Sequence, residues 1–257
     1  MNEDYKESIE FMRIWFFIFF IAINFIHADE AAEAARKIVE ERQDAVVMIK
    51  VVLEMHDYEN KAEVLGTIID PSGLVILSLS SIDPSAMTFG LDSKTKIKSV
   101  KLLLSDGTEV PAKIVLRDRD LDIAFLRPTE KIEGKIDWID LKENCRPDMM
   151  EQVVLISRLG SVAGYTPYAS ICRIQAIVEK PRMLFVPGFS GIFGGLGIPA
   201  FNLSGESVGI LLLKVTNPTQ LDMGGIGGGI QSMGMLPVIL PAEEIIDAAS
   251  HVPESGD

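Results

Sequence analysis

Histidine is nearly missing: 257 residues hold three, His27, His56 and His251. Imidazole is the usual neutral-pH base and a common metal ligand, so either chemistry has few places to sit. Cysteine is scarcer still, with Cys145 and Cys172 alone. Two thiols exclude a disulfide-dense small scaffold. No His, Cys and Asp spacing suits a metal site, so no metal is expected. Basic residues are outnumbered, 24 Lys and Arg against 37 Asp and Glu, for a formal charge of −13. Acidity on that scale excludes non-specific binding to nucleic acid or to an anionic membrane surface. The glycines at 224–229 lack the GK[ST] ending of a phosphate loop, and no cofactor of any kind is expected.

Long apolar runs are missing too. The run Ile14–Ile26 has 13 residues, short of the ~20 that cross a bilayer easily. Arg13 precedes it, and Ala28 offers a small residue before the acidic stretch Asp29-Glu30-Ala31-Ala32. Residues 1–28 therefore read as a secretory signal cleaved near Ala28, which predicts a secreted or periplasmic protein; a retained anchor is the alternative. Beyond this segment no membrane association is expected. Export would allow Cys145 and Cys172 to pair, closing a loop worth roughly 3–4 kcal/mol in the chain-constraint model; two separate buried thiols are the other reading.

What the chain does have is short strands. Residues 29–43 are helix formers, acidic early and basic late, and predict a lead-in helix. From Ala45 onward β-branched apolar runs recur at 46–53, 63–70, 74–79, 100–104, 110–116 and 122–126. A charged, proline-containing connector follows. Strands resume at 152–156, 169–178, 183–186, around Phe201, at 207–214 and at 236–241, with the glycine-rich segment 215–236 read as a loop. Pro241 opens a short closing helix. The pattern predicts an all-β chain of two six-stranded antiparallel β-barrels with short terminal helices. The barrels fall at 44–135 and 151–241, joined by a connector at 136–150 and followed by a helix and tail at 242–257.

The stretch 194–210 carries the most specific signal. It reads as a glycine turn, a short apolar strand, the tight turn Asn202-Leu203-Ser204-Gly205, and a second strand. Its cadence resembles the nucleophile region of chymotrypsin-like serine proteases of the bacterial Deg type, GNSGGPLVN followed by GEVIGI. Three other segments resemble that family in the same order: 65–76, 104–126 and 159–177. So does the exit strand 236–241. The resemblance covers about residues 45 to 245 and implies the chymotrypsin-like fold. No peptide-binding domain follows within the 257 residues.

The resemblance also implies three catalytic positions. A serine protease needs a nucleophile, a base within reach of it, and a carboxylate that orients the base. The carboxylate position is Asp122. Counted from Gly73, the base falls on Ser80, or on Ser81 with a one-residue slip. The nucleophile falls on Leu196, which has no atom able to attack a carbonyl. The main-chain N–H groups of Gly194 and Leu196 take the oxyanion-hole positions. A serine hydroxyl is no neutral-pH base. The expectation is an exported protease-fold protein without protease activity, binding an extended peptide or protein segment or serving as a scaffold. The alternative is an active endopeptidase with a relocated site, using Ser190 with His56. A third reading is a structural envelope protein held by its N-terminal segment.

Overall fold

A computed structural model describes residues 30–55, 58–83, 95–188, 195–215 and 235–253. The described residues open with a helix over 30–42, α1. Six strands follow: β1 (Val46–Met55), β2 (Tyr58–Ile68), β3 (Val75–Ser78), β4 (Thr95–Leu103), β5 (Glu109–Asp118) and β6 (Ile123–Pro128). They close in the order β1-β2-β3-β6-β5-β4. Six more form the second unit: β7 (Gln152–Arg158), β8 (Pro167–Val178), β9 (Leu184–Pro187), β10 (Ile198–Asn202), β11 (Ser207–Val215) and β12 (Met235–Pro241). They close as β10-β11-β12-β9-β8-β7, every pairing antiparallel. Helix α2 (Ala242–Ser250) ends the chain and buries Ala242, Ile245 and Ala248. This is the all-β, two-barrel architecture that the strand spacing implies.

Side-chain alternation explains why the strands read as unbroken apolar runs. In β1, Val47, Ile49 and Val51 fill the first barrel, while Val46 and Met48 face a second cluster. That second cluster also holds Ile76 and Phe125 of the first barrel with Val154, Ile198 and Ile210 of the second. Successive residues point to opposite faces of a strand. Both faces of β1 are therefore buried, one inside its barrel and one between barrels. Closure leaves few open strand edges, which suits a chain so rich in β-formers.

The junction has a polar clamp as well. Arg158, its side chain 9% exposed, donates from Nε to Val46 O at 2.5 Å and from Nη2 to Gln43 O at 2.9 Å. It also pairs with Asp44 at 3.1 Å. One planar fork thus ties β7 to the start of β1, a geometry that an ammonium does not reproduce. Arg158→Lys is expected to lower unfolding stability by about 2 kcal/mol in urea titration, because the part-buried carbonyls of Val46 and Gln43 lose charged donors. A change under about 0.5 kcal/mol would mean that the clamp contributes nothing.

Two local differences from the sequence reading have simple causes. The segment 215–236 was expected to be loop throughout, yet its ends are strand. Val215 pairs with Met235 and Lys214 with Leu236, continuing the β11–β12 ladder. The connector is not wholly polar: Ile139 and Leu141 are buried. Asn144 forms an isolated parallel bridge with Ser207.

Candidate active site

β3 and β6 are antiparallel neighbours, with Ser78 opposite Ile123. The turn after β3, Leu79–Ser81, therefore lies against the residue that precedes β6, which is Asp122. The main chain reinforces this, since Leu79 N donates to Asp122 O at 2.9 Å. Asp122 itself sits at φ 58°, a left-handed conformation that aspartate tolerates better than most residues.

The Asp122 carboxylate accepts from four donors. Ser80 N reaches Oδ1 at 2.7 Å and Ser80 Oγ reaches Oδ2 at 3.1 Å. Ser78 Oγ donates to Oδ2 at 2.5 Å. The fourth donor crosses from the second barrel: Leu213 N, on β11, at 3.3 Å. Ser78, Ser80 and Asp122 are all buried. Burial pushes the Asp122 carboxyl up from its ordinary value, against the pull of the Ser78, Ser80 and Leu213 hydrogen bonds.

Leu196 arrives at the same end of β3 from the other barrel. Gly197 N donates to Leu211 O at 2.7 Å, and Gly197 O accepts from Thr67 Oγ1 at 2.8 Å. Gly195 and Gly197 both have φ +81°. A Cβ on Gly197 would lie 2.7 Å from Leu65 O and 3.1 Å from Leu77 Cα. The two glycines are required because this backbone passes against β2 and β3 with no room for a side chain. Leu196 between them is buried, 8% exposed. The turn beyond β10 is held by Asn202 Oδ1, which accepts from Ser204 N and Glu206 N.

Ser80 and Asp122 are thus in direct contact, and Leu196 lies beside the strand that ends in Ser78. His251 is elsewhere: its Nδ1–H donates to Asp247 O at 2.9 Å at the end of α2. His27, His56, Ser190 and Gly194 fall outside the described residues, as do Ala28 and the rest of the expected signal segment. Cys145 and Cys172 are free thiols, so the disulfide weighed from sequence is not formed. Burial pushes both thiols up to about 11, which makes them poor nucleophiles at neutral pH. Ser78 and Leu213 were missed as partners of Asp122. Ser78 could have been found, as a polar residue ending an apolar strand two places before Ser80. Leu213 could not, because a main-chain donor leaves no mark in sequence.

Two closed six-stranded antiparallel barrels with this cluster between them are the chymotrypsin-like fold, and the chain is a protease-fold protein. Its likeness to known proteins agrees. Over 124 residues, 42% of this chain, it is 28% identical to a protein of Rhizobium meliloti (strain 1021) described as a probable periplasmic serine endoprotease, DegP-like. The aligned stretch spans 22% of that relative's length. No protein-family model matches the chain.

Proposed function

We propose that the protein is an exported pseudoprotease, a module that binds an extended peptide and does not cleave it. By the family resemblance, Ser80, Asp122 and Leu196 align with the base, carboxylate and nucleophile of an active protease, and Gly194 and Leu196 align with its oxyanion-hole donors. One observation carries the reading: both Asp122 oxygens are engaged by serine and main-chain donors, two of them from Ser80, the residue that aligns with the base. A carboxylate so used anchors the turn and orients no imidazole. A periplasmic location is supported by the relative's description and by the N-terminal apolar run.

The peptide's place is suggested by pairing. β11 pairs with β10 only as far as Leu211. Among the described residues, its 212–215 portion pairs with no strand but β12, and on it Leu213 N is taken by the Asp122 carboxylate. Strand addition at such an edge needs no catalytic group. A cavity of about 380 Å³ lies alongside, with Leu121, Leu184, Leu212 and Val238 in its wall and Lys214 and Arg182 at its rim. It suits an apolar side chain of a bound strand.

The purified chain is expected to leave casein intact and to take no label from a fluorophosphonate. Digestion, or labelling abolished by Ser190→Ala, would replace this reading with that of an active enzyme whose site has moved.

A further inference from the structure

A second cavity, of about 400 Å³, opens at the opposite end of β6 from Asp122, where the β2–β3 turn, the connector and α2 meet. Ile69, Leu74, Leu141 and Val252 give it a buried apolar lining, and Trp138 adds an indole. Its polar centre is Arg127. Nη1 donates to Ser72 Oγ at 2.8 Å and Nη2 to Pro253 O at 3.3 Å. Nε is buried and has no partner.

Every acceptor that Arg127 has found is neutral, and it forms no ion pair among the described residues. The two carboxylates in the lining are committed to their own turns. Asp70 Oδ1 accepts from Ser72 N, Ser72 Oγ and Leu74 N, and Asp140 Oδ1 accepts from Lys142 N. The Nη groups, whose bonds to neutral acceptors are exposed, are the ones a ligand can reach, and a guanidinium fork is best completed by a carboxylate. Lys142 and Arg127 offset the charges of Asp70 and Asp140 in the lining. The size matches a ligand of a few heavy atoms more than an amino acid.

We propose that this cavity binds an apolar monocarboxylate, its carboxylate on Arg127 and its body against Leu74, Leu141 and Trp138. The carboxyl end of a peptide and a free short-chain acid share that chemistry. The site is separate from the β11 edge, so its occupancy does not depend on the peptide-binding reading above.

Trp138 supplies the readout. The chain has two tryptophans, Trp15 and Trp138, and Trp15→Phe isolates the second. N-acetyl-leucine, 4-methylpentanoate and N-acetyl-leucinamide are titrated against the emission of that variant. At least one acid is expected to give a saturable change with Kd of about 1 mM or tighter, and the amide to bind at least about tenfold more weakly. Binding of N-acetyl-leucine alone assigns the site to peptide ends, and binding of both acids assigns it to apolar carboxylates at large. Arg127→Met is expected to weaken the acid at least about tenfold. Ala249→Phe, which fills the cavity from α2 and leaves Arg127 in place, is expected to do the same and decides the matter should Arg127→Met not fold. No saturation by either acid up to ~10 mM, equal binding of the amide, or unchanged binding in a folded Ala249→Phe chain would overturn the proposal.

Discussion

A Ser80→His, Leu196→Ser double variant is expected to react with a fluorophosphonate at least about 10²-fold faster than the parent chain, the lower end of what a positioned base contributes. The Ser80 side chain already points at Asp122, with Oγ 3.1 Å from Oδ2 and the residue's own N–H on Oδ1. An imidazole built from the same Cα would present Nδ1–H to that carboxylate in place of the hydroxyl, the arrangement that fixes a catalytic tautomer. Room for the ring has to come from somewhere, because Ser80 is only 3% exposed. Leu196 reaches the same end of β3, and shortening it to serine is expected to release that room while keeping the combined volume of the two side chains nearly constant, which cores tolerate best.

The single variants are expected to fare worse. Leu196→Ser leaves a void and an added hydroxyl, and Ser80→His overfills the site, each destabilising by about 1–3 kcal/mol. The stability effects of the pair are therefore expected to be less than additive, the signature of neighbours. A folded double variant that remains unlabelled would remove the assignment of these two positions.

Replacing Asp122 tests the anchor itself. Asp122→Ala deprives Ser80 N, Leu213 N and Ser78 Oγ of their acceptor in a buried site. Each orphaned donor costs about 1–3 kcal/mol, and alanine adds strain at φ 58°. A loss of about 3–5 kcal/mol is expected from denaturant unfolding. Asp122→Asn keeps an acceptor and tolerates the left-handed backbone, so it should lose far less. An alanine variant within about 1 kcal/mol of the parent would show that the carboxylate does not hold the barrels together.

The same group sets a pH dependence with a definite sign. Burial raises the folded-state value of Asp122 above its unfolded value of 3.8. The folded protein therefore binds the proton first as pH falls. Over the window from the raised value down to 3.8, ionisation of Asp122 opposes folding, so its contribution to stability grows as pH falls and is lost as pH rises. Glu109 acts the other way: Lys50 and Lys101 hold it down to about 2, so its contribution is lost at acid pH. Unfolding free energies of the parent and Asp122→Asn across pH 3 to 7 separate the two, on the order of a unit of resolution. A difference between the chains that is flat with pH, or that shrinks toward acid, contradicts the burial argument.

Much of the fold was legible in the sequence because period-two burial and turn glycines are local. Val46 to Leu53 reads as strand from its β-branched run, and Gly205 closes the β10–β11 turn at φ +87° as the Asn-Leu-Ser-Gly sequence requires. Ladder ends were less legible. Val215 and Met235 look like loop beside so many glycines, and they become strand only because Lys214 and Leu236 are already paired.

At the candidate site the residue types at 80, 122 and 196 follow from counting along one chain, and so does the lack of a nucleophilic atom at Leu196. What surrounds Asp122 does not. Its donors come from β3, from the turn after it and from the main chain of a strand in the other barrel, 91 residues away in the case of Leu213. The unpartnered Nε of Arg127 is of the same kind. By itself the sequence determined which chemical groups exist and which local backbone they favour, because both are written in side chains and their nearest neighbours. Only the tertiary structure decided which groups share a buried space, because burial and hydrogen-bond partnership depend on strands that meet only when both barrels close.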